Sequence, residues 1–264
     1  MKLVTWNINS VRLRMPLLEQ LTKTENPDVV CLQEIKVHDD LFPRSDIEEL
    51  GYAYQHYRGM KGYNGVAILS RLPFASTDGR DFCGRSDCRH QSVTFKSGAV
   101  LHNFYVPAGG DVPDSKKNEK FAHKLAFLDE MTDWFDAEHR SGDPAILVGD
   151  LNIAPLATDV WSHKQLLKVV SHTPIEVEKL DVVQKSNGWV DAVRHFIPAD
   201  EKLYSWWSYR ARDWNAVDKG RRLDHVWVTP PLVAGLRSAS VLRSARGWEK
   251  ASDHAPVIVE LEIH

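Results

Sequence analysis

Residues 145–155 read "AILVGDLNIAP". Ala145, Ile146, Leu147 and Val148 predict a strand in the middle of a sheet. Yet the run closes on Asp150 and Asn152, with only Leu151 between them. Side chains two apart on a strand share a face. The acid and the carboxamide are therefore expected to project together, while Leu151 faces the other layer. Taken alone, Asp-Leu-Asn after a strand is ordinary turn or cap chemistry. What decides the fold is how many other segments follow the same plan.

Several do. "KLVTW", "DVVCL", "GVAIL", "AVLHNFYV", "LDHVWV" and "APVIVEL" are apolar runs of strand length bounded by turn residues. Between residues 116 and 140, Phe121, Leu125, Leu128, Met131 and Phe135 recur at helical spacing. Strands on both sides of helices predict an α/β sandwich. "LVTWNIN" and "ILVGDLNIAP" each open about half of the chain and carry Asn7 and Asn152 near their ends. The expectation is one domain over 1–264, built of two similar β/α halves, about 1–141 and 142–264, packed sheet against sheet.

Composition narrows the function. With 43% apolar and 26% charged residues over 264 positions, the chain has the make-up of a soluble globular protein. No apolar run approaches the roughly 20 residues of a membrane span, and the N-terminus has no signal-peptide pattern. A cytoplasmic, unprocessed protein without a membrane partner is expected, with a monomer as the default. Cys31 sits in a core-like run. Cys83 and Cys88 lack the spacing of a zinc site, and three cysteines make no disulfide framework. Net charge is −3, which argues against a generic polyanion binder. Residues 204–222, "YSWWSYRARDWNAVDKGRR", nevertheless carry five basic residues against two acids, interleaved with aromatics. Any nucleic-acid affinity must be local.

The strand ends carry the chemistry. "TWNIN" presents Asn7, "VVCLQEIK" Glu34, "RRLDHVWV" Asp224, and "ASDHAPVIVEL" Asp253 and His254. Open α/β sheets commonly gather their sites at strand ends. Each residue alone reads as a surface group or cap; together they make a set of carboxylates, carboxamides and one imidazole without a cysteine or multi-histidine cluster. Hard oxygen ligands of this kind suit Mg²⁺ or Mn²⁺ beside a phosphate. The set predicts a metal-assisted phosphodiesterase. Phosphate-cradling and dinucleotide-binding glycine motifs are absent from the sequence.

In this order, "WNINSVR", "LQEIK", "GVAILSR", "GDLNIAP", "RRLD" and "SDHAPV" closely resemble the exonuclease III branch of apurinic/apyrimidinic endonucleases. That branch belongs to the endonuclease/exonuclease/phosphatase superfamily. The resemblance implies a DNase I-like, four-layered α/β sandwich: two packed mixed sheets flanked by helices. It implies Glu34 as principal metal ligand, with Asn7 beside it and Asp253 as a further ligand. Asp150 would orient or deprotonate the attacking water, and Asn152 would hold water or phosphate. Asp150, Asn152 and His254 also lie within reach of the metal in this scheme. His254, paired with Asp224, would contact the phosphate, and Tyr105 would lie near it.

The implied activity is Mg²⁺-dependent repair of double-stranded DNA: incision 5′ of abasic sites and 3′-to-5′ trimming of ends, leaving 3′-hydroxyls. Trp206 matches an aromatic that lines the pocket for an extruded abasic sugar. Arg210, Arg212, Lys219 and Arg221 are candidates for that wall or for phosphate contacts. Trp206 and Trp207 alternate on a strand, so one should face the pocket and the other the core. Two positions depart from the family pattern: Ala108 stands where a polar Asn or Gln is usual, and Arg221 where some relatives have an aromatic. Both bear on the balance between the two activities. Competing readings are a phosphatase of the same fold acting on inositol phosphates or phospholipid headgroups, and a catalytically silent DNA-binding protein.

Overall fold

The computed structural model describes residues 1–138 and 141–263. The strands run β1 (Lys2–Asn7), β2 (Val29–Gln33), β3 (Tyr54–Arg58), β4 (Val66–Ser70), β5 (Phe74–Asp78), β6 (His90–Phe95) and β7 (Val100–Tyr105). They continue as β8 (Ala145–Asp150), β9 (Val190–Asp191), β10 (Trp206–Trp207), β11 (Gly220–Arg221), β12 (Asp224–Val228), β13 (Leu236–Val241) and β14 (Val257–Leu261). One six-stranded sheet has the order β13-β14-β1-β2-β4-β3, the other β5-β6-β7-β8-β12-β9. Each has a single parallel pair at its centre, β1 with β2 and β7 with β8, and antiparallel pairs to either side. The sheets therefore repeat one plan.

The two halves of the chain do not supply one sheet each. The first sheet combines β1–β4 with β13 and β14, and a cut at 141/142 would fall between hydrogen-bonded neighbours β7 and β8. The end of the chain returns to close the sheet that its beginning opened.

Period-two alternation builds the layers. Leu3, Val29, Cys31, Ile68 and Val257 of the first sheet meet Leu101, Ile146, Val148, Val226 and Val228 of the second in one buried seam. Residues of opposite parity face the helices. Val4, Trp6, Val30 and Leu32 pack with Leu17, Leu18 and Leu21 of α1 (Met15–Glu25) and with Ile47 of α2 (Arg44–Glu49). Leu147 and Trp227 pack with Phe127, Leu128, Met131 and Phe135 of α3 (Glu119–Glu138). After the short α4 (His163–Leu166), Leu180 and Val183 of α5 (Pro174–Ser186) join that layer. The result is the four-layered sandwich expected. At the start of α5, Thr173 and Glu176 form a capping box, with Pro174 at a favoured early position. No helix among the described residues is long and apolar enough to cross a membrane.

Candidate active site

The inward-facing parity that fills the seam with apolar residues continues past it into polar ones. On β1 the series Leu3, Thr5 ends at Asn7; on β8, Ile146 and Val148 end at Asp150; on β12, Val228 and Val226 end at Asp224. Register then aligns the ends. Asp150 is paired with Tyr105 on one side and Asp224 on the other. A buried polar layer lies just beneath: Gln33 donates to Asn103 at 2.7 Å and to Thr5 at 2.9 Å.

Asn7 joins the sheets, its Nδ2 donating at 2.9 Å to both Glu34 Oε1 and Asp150 Oδ2. Tyr105 adds its hydroxyl to Glu34 Oε1 at 2.8 Å. On the other flank His254 Nδ1 is 2.8 Å from Asp224 Oδ2, and its Nε2 is 3.7 Å from Asp150 Oδ2. Ser205 donates to the same Asp224 oxygen at 2.6 Å.

Strand alternation does not explain Asn152. β8 ends at Asp150, and Asn152 adopts a left-handed φ of 55° with its backbone N–H on Asp150 Oδ1 at 3.0 Å. A tight turn, rather than a continuing strand, returns its side chain to the cleft. Glu34 likewise follows the end of β2 with φ 51°. Backbone held in this sparsely populated region is concentrated at sites that need it. Gly149 is required for a related reason: a Cβ there would lie 1.9 Å from the Phe104 carbonyl oxygen.

Charge at the site is unbalanced. Burial pushes the Asp150 carboxyl up to about 7; Asp224 and Glu34 add to the rise, against the opposing pull of His254 and Asn7. Burial disfavours the His254 cation, yet Asp224 and Asp150 raise its imidazole to about 10. Burial would raise Glu34 too, but donors from Asn7, Lys36 and Tyr105 hold it below the usual carboxylate range. Burial and the neighbouring carboxylates lift Tyr105 well above its ordinary value, so its phenol stays protonated as a donor.

One cleft of about 570 Å³ has Glu34, Tyr105, Asp150, Asn152, Asp253 and His254 at its floor and Trp206, Arg210, Lys219 and Arg221 along its wall, while Asn7 and Asp224 are buried and do not line it. Trp206 is half-buried and faces it, whereas Trp207 is in the core against Tyr204 and Ala255. Arg221 lies 5.3 Å from the Trp206 ring centroid and donates to Val170 O and Ser171 Oγ, so it buttresses the indole. Arg212 is exposed and outside the cleft lining. Ala108 lines the cleft.

The model of the Endonuclease/Exonuclease/phosphatase family matches residues 4–254. The chain belongs to this family. Exodeoxyribonuclease III of Haemophilus influenzae is 31% identical, covering 99% of this chain and 100% of its own. An AP endonuclease structure from Archaeoglobus fulgidus has a TM-score of 0.93 at 29% identity, with all of both chains covered. A 3′ phosphatase from Neisseria, bound to a product DNA hairpin, has a TM-score of 0.91 at 28% identity, covering 99% of each chain. Within the family this chain falls with the exodeoxyribonuclease III and AP endonuclease members, and it is a hydrolytic nuclease.

The donor set in this family member is competent to hold a metal ion. Asp150, Asp224 and His254 offer ligand atoms within 4.8 Å of one another. A cationic His254 hydrogen-bonded to Asp224 has no lone pair to give, so that trio reads better as an acid–imidazole chain. Glu34 and Asp150, both 2.9 Å from one Asn7 nitrogen, are the better oxygen pair. Asp224 Oδ1 is buried without a donor among the described residues, a further excess of negative charge. Asn7 holds the carboxylates together through its N–H, while its Oδ1 accepts from Asn9 N at 3.1 Å. Asp253 accepts from Asn9 and Trp206.

Residues missed by the sequence reading support this family site from behind. Lys124 and Glu176 form a fully buried ion pair, and Lys124 donates to the Asn152 carbonyl at 2.8 Å. Trp161 enters the wall with Lys219 Nζ 4.4 Å from its ring centroid. Neither carries a motif; only the fold brings them in.

Proposed function

We infer that the protein is a metal-dependent DNA repair nuclease that incises duplex DNA 5′ of abasic sites and trims 3′ ends, leaving 3′-hydroxyls. The observation that carries this reading is the Asn7 bridge between Glu34 and Asp150, facing the His254–Asp224 pair in a cleft with a half-buried tryptophan in its wall. The functional unit is the whole chain, 1–264, since the site draws on residues from Asn7 to His254. A monomer acting in the cytoplasm suffices for it.

Asp150, with a proton affinity near neutrality, takes the proton of the attacking water. Cationic His254 stabilises the charge that develops on a phosphoryl oxygen, and Asp224 and Ser205 fix its ring. Asn152 donates through Nδ2 to Val106 O at 2.9 Å, which turns its amide oxygen toward water or phosphate. The protonated Tyr105 hydroxyl donates its one hydrogen to Glu34, and would turn it to the substrate only by releasing that carboxylate. When bound at Glu34 and Asp150, Mg²⁺ would supply a Lewis acid for the phosphoryl oxygen and leaving group. Attack on phosphorus breaks the bond to the 3′ oxygen, which leaves as the 3′-hydroxyl of the upstream fragment once protonated; the phosphate stays on the downstream fragment as its 5′-phosphate.

Trp206, buttressed by Arg221, forms the wall against an extruded abasic sugar, and extrusion is easiest where pairing is already lost. Arg210 and Lys219 position the backbone, with Arg212 as an outlying contact.

The test supplies an abasic duplex, a blunt duplex, a duplex ending in a 3′ phosphate and an inositol phosphate, each with Mg²⁺ or with chelator. Incision at the abasic site that depends on Mg²⁺ is expected. Incision surviving chelation, or hydrolysis of the inositol phosphate without nicking, would overturn the reading.

A further inference from the structure

A hydrogen-bonded path leaves the acidic centre and arrives at the tryptophan wall. Lys36 Nζ lies 2.6 Å from Glu34 Oε2 and donates to Asn9 Oδ1 at 2.7 Å. Asn9 Nδ2 donates to Asp253 Oδ1 at 3.2 Å, and Trp206 Nε1 donates to Asp253 Oδ2 at 2.9 Å. Directionality makes this path informative. An ammonium only donates and a carboxylate only accepts, so an amide between them has one orientation that serves both. Reversing the Asn9 amide would set its NH₂ against Lys36 and its oxygen against Asp253. The Asn9 backbone is fixed as well: its φ is 50°, its N–H donates to Asn7 Oδ1, and its carbonyl accepts from Arg14.

At the other end Lys36 occupies an electrostatic position that a divalent cation would share. Its charge is opposite one oxygen of Glu34 while the other oxygen is held by Asn7 and Tyr105. A cation on Glu34 and the Lys36 ammonium repel each other across a few ångströms. Weakening the Lys36–Glu34 contact leaves Lys36 to Asn9, and hence to the strut that sets the indole of Trp206.

We propose that Lys36 and Asn9 are positioning residues that link the cation site to the abasic-site pocket. Lys36 is the resident counter-charge of Glu34 and competes with the metal, and Asn9 transmits its position through Asp253 to Trp206. The proposal rests on the functional reading above, but half of it concerns the cation alone.

That half is measured without DNA and without turnover, by titrating chelator-treated protein with Mn²⁺ and following the free-ion resonance. Lys36→Met should lower the Mn²⁺ dissociation constant by about tenfold through loss of a like charge, and Lys36→Arg should restore the wild-type value. Unchanged or weaker binding in Lys36→Met, with a wild-type thermal midpoint in chelator, would overturn the competition. The other half compares abasic with intact duplex. Asn9→Ala should lose selectivity for the abasic duplex mainly through KM. Adding Lys36→Met to it should cost no further selectivity, because the shared path is already cut. Additive losses would mean two independent residues and would overturn the link. Failure of the wild-type protein to incise the abasic duplex would count against the functional reading and leave the Mn²⁺ result standing on its own.

Discussion

The proposed role makes Asp150 a base and a buried anion at once, and the two demands conflict. Its ordinary carboxyl pKa is about 3.9, whereas in the folded protein burial, with Asp224 and Glu34, lifts it to about 7. The folded state therefore holds an extra proton between these values. That stabilisation is complete below the unfolded pKa and is lost as pH rises through the folded one, so ionised Asp150 works against folding in alkaline solution. Asp150→Asn should raise the thermal midpoint at about pH 8 while lowering single-turnover incision on the order of 10³-fold. Calorimetry and a gel assay on the same preparation check both. A lower midpoint would show that the attraction between Asp150 and His254 outweighs the cost of burying the charge. The sequence exposed this residue because an acid closes an otherwise apolar strand. It gave no sign of Lys36 or Asn9, whose roles come from the side chains that left-handed backbone places beside them.

Elements were legible where burial coincides with an apolar run; β6 is buried over five of six residues but opens on His90, Gln91 and Ser92 and offers no such run. β1, β2, β4, β7, β8, β12 and β14 are mostly buried, and all seven stand out as apolar runs. Edge strand β5 is exposed over four of five residues and has no such run to read. The pairing of late β13 and β14 with early β1 was illegible too, because two sheets built on one plan offer no local signal of which partner a strand takes. Behind the site, α3 and α5 are pinned by the Lys124–Glu176 pair, both side chains fully buried. Glu176 is also held by Ser171 N and by Thr173. Breaking such a pair from one side strands a charge, so Lys124→Met should destabilise by about 3–5 kcal/mol in urea titration. Replacing Glu176 by Leu in the same chain should recover part of that loss; no recovery would mean that Glu176 acts chiefly as a cap. On β12, burial and then Arg222 push the His225 imidazole down to about 4. The unfolded chain takes up a proton at about 6.5, so stability is complete above that pH and falls as pH drops toward 4. His225→Gln retains a donor for the Ile153 carbonyl and should flatten that fall by up to about 3 kcal/mol. Equal acid sensitivity in both proteins would place the titrating group elsewhere.

Across the whole molecule, a net charge of −3 coexists with a wall that gathers Arg210, Lys219 and Arg221 around Trp206. An acidic body repels DNA wherever the wall does not face it, so affinity should depend on few phosphate contacts and their orientation. The local excess of basic residues in 204–222 was visible in the sequence, but not its division of labour. Arg221 is committed to the indole and to Val170 and Ser171, and Arg212 lies off the cleft, so on the proposed reading Arg210 and Lys219, the latter over the Trp161 ring, would meet the phosphates. Binding of an abasic duplex in chelator should therefore weaken with salt, and Arg210→Ala or Lys219→Ala should each reduce the log–log slope by about one. Arg212→Ala should leave the slope as it is. Trp206→Ala should also keep the slope but lose the preference for abasic over intact duplex, since an aromatic wall contributes shape rather than counter-ion release. If Arg212 changed the slope as much as Lys219, the DNA path would run outside the cleft. If Trp206→Ala kept full selectivity, recognition of the missing base would belong to another part of the wall, with Trp161, the other tryptophan lining the cleft, as the alternative.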